Sequence, residues 1–151
     1  MMNGKKKPIM GMAKGYKDGG MVKIKGKMLS APAEARLCKV HPDLQRVIRR
    51  ALVFSKQNFT VSEGLRTLAR QKQLVAAGAS KTMNSRHLTG HAVDLAVIVG
   101  GKARWDWPLY IALSNVVKQA ADECKVPIVW GGDWISFKDG PHYELDRRIY
   151  P

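Results

Sequence analysis

The chain has 151 residues, enough for one domain with its own core and short of two. It is 45% apolar, without an apolar run long enough to span a bilayer, and its basic start, MMNGKKKPIMGMAKGYKDGG, lacks the apolar centre of a secretory signal. The formal net charge is +14, half of it on residues 1–30, where eight lysines face Asp18 alone; such an excess favours polyanions as partners but does not choose among nucleic acid, anionic lipid and envelope polymers.

Residues 1–30 are rich in Gly, Lys and Met and show neither helical nor strand periodicity, so they read as a flexible basic tail preceding a domain over 31–151. SAPAEAR reads as a linker or a first capped turn. From Pro42, Leu44, Val47, Ile48, Ala51 and Leu52 recur at helical spacing, with Pro42 suited to a first turn and Asp43 to a helix N-terminus. His41 beside Pro42 reads as a local packing residue. In FTVSEGLR, Phe59, Val61, Glu63 and Leu65 alternate with smaller or polar residues, which predicts a strand. TLARQKQLVAAGAS predicts a helix with Thr67 as N-cap and Gly78 near its end.

KTMNSRH reads as a loop, and AVDLAVIV as a strand stopped by Gly100 and Gly101. WPLYIALSNVVKQAADECK predicts a helix with Leu109, Leu113, Val116, Val117, Ala120 and Cys124 in one stripe. PIVWGGDW reads as a strand and a glycine turn, with Asp133 a turn residue, and ISFKDGPHYELD as a loop feeding a last strand. Cys38 and Cys124 fit no ligand or disulfide spacing and read as buried, reduced thiols. The tryptophans read chiefly as core packing. The order of elements gives an α+β fold: a small single domain with helices packed on an antiparallel sheet.

The chemistry concentrates in SRHLTGHAVDL and DGPHYEL. His87 and Asp94 stand seven residues apart with Gly90 between them to turn the chain, and His142 opens the last strand. Two imidazoles and a carboxylate are ordinary zinc ligands, and a three-residue set leaves a coordination position for water. Asp139, three residues before His142 across a Gly-Pro turn, is placed to act as a base beside a metal. Spacing alone leaves a second reading open, in which these are packed or surface histidines. His91 reads as a bystander, since the chain here is not expected to be helical. Glu63 reads as a strand-face carboxylate, or as a support for Arg66.

SRHLTGHAVD also fits the pattern SxHxxGxAxD at Ser85, His87, Gly90, Ala92 and Asp94. In this it resembles the zinc D-Ala-D-Ala carboxypeptidase and L-alanyl-D-glutamate endopeptidase family, peptidoglycan peptidases that share a fold with the hedgehog signalling domain. VHPDLQRVI, SEGLRT and WGGDW look like the bacteriophage endolysins of its endopeptidase branch, and the resemblance runs over roughly residues 37–146. It implies a zinc site of His87, Asp94 and His142, Asp139 as general base, Arg66 as a binder of substrate and developing oxyanion, and Ser85 as a residue lining the substrate pocket. Asp139, where many carboxypeptidases of the family carry glutamate, leans the reading toward the endopeptidases.

The expected function is that of a phage endolysin-type zinc metallopeptidase. It would hydrolyse the L-Ala–D-Glu bond of peptidoglycan stem peptides and so degrade the wall and lyse the host. A D-Ala-D-Ala carboxypeptidase or dipeptidase, and a non-catalytic virion protein binding wall or nucleic acid, are the alternatives. A monomer is expected, made in the host cytoplasm without a signal peptide. It would reach the wall after release or ride in the virion, its tail drawn to anionic envelope polymers.

Overall fold

A computed structural model describes residues 23, 24 and 27–151, and most of the basic tail therefore lies outside the described residues. Within the last part of the segment read as tail, β1 (Lys23–Ile24) pairs antiparallel with β2 (Lys27–Met28), and Leu29 is a core residue, 3% exposed. Of the two readings of SAPAEAR, a linker or a first capped turn, the second holds: it opens a capped helix, α1 (Ala31–Leu37). Ser30 caps it by accepting from the Ala33 amide at 3.3 Å, and Ala33 and Leu37 are buried. Its Glu34 is gripped by both terminal nitrogens of Arg49 on α2 (Pro42–Phe54), an ion pair that fastens the two helices. The apolar face of α2 is buried as its spacing predicts. His41 is its N-cap, Nδ1 accepting from the Asp43 amide at 3.0 Å.

The main sheet is antiparallel, in the order β3 (Asn58–Glu63), β4 (Ala92–Val99), β7 (His142–Leu145), β6 (Ile128–Trp130). β5 (Lys102–Arg104) returns from the Gly100–Gly101 turn onto β4. Because β3 and β7 both pair with Asp94, and β3 and β5 both pair with Val97 and Ile98, one edge of β4 belongs to β3 and the other is shared by β7 and β5. β5 was not visible in the sequence: its three residues are all exposed and carry no alternation.

α4 (Trp107–Cys124) packs against α2, with Leu113, Val117 and Ala120 buried and Leu109, Val116 and Cys124 half-buried beside them. α3 (Leu68–Ala76) has the predicted Thr67 cap, accepting from the Arg70 amide at 3.1 Å. It buries a single residue, Gln71, so a polar group rather than an apolar stripe attaches it. The cysteines depart from expectation. Both are free thiols, but Cys38 follows the last turn of α1 and is exposed, and Cys124 is only half-buried. Of the tryptophans only Trp130 is core; Trp105 and Trp107 are exposed. Among the described residues no helix is long and apolar enough to cross a membrane.

Candidate active site

Asp94 sits near the start of the central strand β4, directly across from His142 on β7, so the two side chains share a face of the sheet. Glu63 on β3 pairs with Asp94 from the other side, next to an irregularity in the ladder. His87 arrives from a single 3-10 turn, Arg86–Thr89, where a loop was expected. Ser85 caps that turn, accepting from the His87 amide at 3.2 Å. Gly90 ends it at φ +75, a left-handed conformation that a glycine adopts without strain, and its carbonyl accepts from the His41 amide at 2.8 Å.

The result is one cluster. His87, Asp94 and His142 each offer a ligand atom, and these atoms all lie within 4.8 Å of one another. Asp94 Oδ1 is 3.2 Å from His87 Nε2 and 3.3 Å from His142 Nδ1. Two ligands each about 2.0–2.2 Å from one ion at the tetrahedral angle are about 3.3–3.6 Å apart, so these separations suit a common ion. The far ring nitrogens are also provided for. His87 Nδ1 donates to the Gly64 carbonyl at 2.8 Å; a carbonyl only accepts, so the hydrogen is on Nδ1 and Nε2 faces the cluster. His142 Nε2 donates to the buried Glu144 carboxylate at 2.8 Å, which leaves Nδ1 facing Asp94. Imidazoles with their outer nitrogen so anchored are the usual form of metal-ligating histidine.

Electrostatics agree with a site built for positive charge. Burial opposes ionisation of Asp94, but hydrogen bonds and charge from His142 and His87 outweigh it and hold the carboxyl well below the usual range. Burial likewise disfavours a charged His142, yet Asp94 and Glu144 overcome it and lift the imidazole to about 9. Asp139 behaves oppositely: burial, and then the negative charge of Asp94, raise it. Its carboxylate makes no hydrogen bond among the described residues, while its amide donates to the Gly131 carbonyl at 3.0 Å and its own carbonyl accepts from the His142 amide at 3.2 Å. Any side chain at Gly131 would collide with the Asp139 carbonyl, which is why that position carries none.

Arg66 forms another wall of the site. Nε and Nη2 donate to the two oxygens of Glu63 at 2.7 and 2.8 Å, and Nη1 donates to Gln71 Oε1 at 2.7 Å and to Ser85 Oγ at 3.4 Å. Nη2 also lies 3.8 Å from Asp94 Oδ2. Only 8% of the arginine side chain is exposed. Of the two roles considered for Glu63, the structure thus gives it the support of Arg66.

Three residues that hold the site together were not singled out from sequence: Glu144, Gln71 and Gly64. Glu144 was within reach, since two residues after His142 on a strand means the same face. His91 stands apart from the cluster; its Nδ1 is 2.6 Å from Thr89 Oγ1 and its ring lies 5.7 Å from that of His41. Trp134 packs on His142, ring centroids 5.1 Å apart. Asp133 is a turn residue paired with Lys118.

A small α+β domain that gathers two histidines and an aspartate on an antiparallel sheet, flanked by a carboxylate and an arginine, has the arrangement of a metal-dependent hydrolase. The particular family follows from comparison. Residues 26–150 match the family described as phage L-alanyl-D-glutamate peptidase, and the chain belongs to it. It is 37% identical over 122 residues to the L-alanyl-D-glutamate peptidase of Escherichia phage T5, covering 78% of this chain and 88% of that one. With the L-alanyl-D-glutamate peptidase of Listeria phage A118 the identity is 32% over 119 residues, 77% of this chain and 41% of the other. The crystal structure of the Serratia marcescens L-Ala D-Glu endopeptidase ChiX superposes with a TM-score of 0.76 at 51% identity, covering 79% of this chain and 90% of that one.

Proposed function

We propose that this chain is a zinc endopeptidase that hydrolyses the L-Ala–D-Glu bond of peptidoglycan stem peptides. The observation that carries the reading is the convergence of His87, Asp94 and His142 in a chain of this family. These three residues are the proposed zinc ligands. Zinc in such a site supplies an electrophile for the scissile carbonyl and makes water acidic enough to attack near neutral pH.

The remaining work belongs to the chain. Asp139 takes the proton of the attacking water and hands it to the leaving amine; its upward shift suits a group that must both accept and release a proton. The guanidinium of Arg66, locked by Glu63 and Gln71, presents positive charge at fixed geometry to the oxygen on which negative charge develops. Ser85 holds the turn that carries His87 and lines the same pocket. Glu144 and the Gly64 carbonyl keep each imidazole turned toward the metal position.

Acting on the wall, the enzyme would serve host lysis, or entry if carried in the virion. The charge of residues 1–30 supports an attraction to anionic envelope polymers. The test is mass spectrometry of fragments released from purified peptidoglycan with zinc and with a chelator. Stem peptides freed after L-Ala only in the presence of metal are expected. Release of free D-Ala instead would move the substrate to the terminal bond, and no release from several wall types would remove the peptidase reading.

A further inference from the structure

The loop that leads into the His87 turn and the loop that leads into the His142 strand meet at one side-chain contact. Lys81 Nζ lies 5.3 Å from the centre of the Phe137 ring. The lysine loop is fastened to the arginine wall through Gln71. This fully buried amide accepts from Arg66 Nη1 and donates to the Thr82 carbonyl at 2.6 Å and to Ser80 Oγ at 2.9 Å. Phe137 stands two residues before Asp139 on the other wall. Phe137 is 53% exposed and sits at φ +54, a region that bulky side chains avoid.

The cations near the site differ in what occupies them. The fork of Arg66 is closed on Glu63, and the ammonium of Lys138 is spent on the carbonyls of Gly132 and Trp134. Among the described residues Lys81 makes no ion pair, and only an aromatic face meets it.

The substrate supplies the complement. Glutamate has two carboxyl groups and a peptide chain uses one, so cleavage before D-Glu, the reading on which this inference rests, places a free carboxylate on the residue that carries the leaving amine. Asp139 returns its proton to that amine, so this residue lies on the Asp139 side of the site, the side whose loop carries Phe137. Arg66 has no pair of donors left for a further carboxylate.

We propose that Lys81 is a specificity-determining residue that binds the free carboxylate of the D-glutamyl residue, leaving the face of Phe137 as substrate enters. Before binding, the ring keeps the ammonium at the rim without the competition that a resident carboxylate would bring. The contribution is one of substrate binding at an exposed position, so it falls on KM more than on kcat and weakens with salt.

The test uses two synthetic stem peptides alike except at D-Glu, one with the free carboxylate and one with a carboxamide there, cleaved by the zinc-loaded full chain and by Lys81→Gln. The wild type is expected to favour the acid peptide by about fivefold in kcat/KM, through KM, as for an exposed ion pair. Lys81→Gln is expected to bring the ratio near one. A variant that keeps the wild-type ratio, or a wild type that shows no preference, overturns the role of Lys81 and leaves the endopeptidase reading standing. Cleavage of neither peptide by the wild type overturns that reading, and the role of Lys81 with it.

Discussion

The two walls of the site are built by different means. On one side, Arg66 spends its donors on Glu63, Gln71 and Ser85, and its amide donates to the His87 carbonyl at 2.9 Å, so side chain and backbone are fixed together. On the other, Asp139 rides a loop shaped by backbone hydrogen bonds and by Lys138, with Ile135 fully exposed and Phe137 in a left-handed conformation. The difference follows from the tasks proposed for them. A positive charge meant for a developing oxyanion gains by being immobile before the reaction. A carboxylate that must take and release a proton gains by having lone pairs uncommitted to protein donors.

The mobile-proton wall should therefore be the more sensitive to loss of a single group. Asp139→Asn keeps the shape of the loop and removes the proposed base; kcat is expected to fall by about 10²- to 10⁴-fold while metal content stays at the wild-type level. A parallel loss of metal would show that Asp139 is part of the metal site instead. On the rigid wall, Arg66→Lys keeps a charge and loses the fork that grips Glu63, with an expected drop of about 10²- to 10³-fold in kcat at unchanged metal content. Equal activity would mean that charge alone, without fixed geometry, serves there.

Between the walls, Glu144→Gln changes what His142 Nε2 meets from a carboxylate to an amide. Metal affinity, measured by competition with a chromophoric chelator, is expected to weaken by about 10- to 100-fold, with the sheet intact by circular dichroism. An unchanged affinity would assign Glu144 to packing alone.

How much of this was legible in the sequence depended on the kind of signal. Asp94 and His142 lie on strands whose apolar alternation or β-branched content is plain, and Gly90 marks the turn that returns His87 to them. The α2 and α4 faces were likewise readable from spacing, because burial there is apolar. What escaped was held by polar groups or was too short to be periodic. Gln71 anchors α3 through hydrogen bonds that no hydrophobic pattern reports. β5 is three exposed residues, and the turn at Arg86–Thr89 is one turn of 3-10 helix. Glu144 is the exception: two residues after His142 on β7, it shares that residue's face by strand period alone.

In the proposed enzyme, hydrolysis depends on one metal ion held by His87, Asp94 and His142. The deciding experiment titrates metal-free protein with Zn2+ while cleavage of a stem peptide is followed. Activity should be absent at the start, rise in proportion to added zinc and level off at one equivalent per chain. Full cleavage by the metal-free protein, or none at any zinc level despite one bound ion, would contradict it.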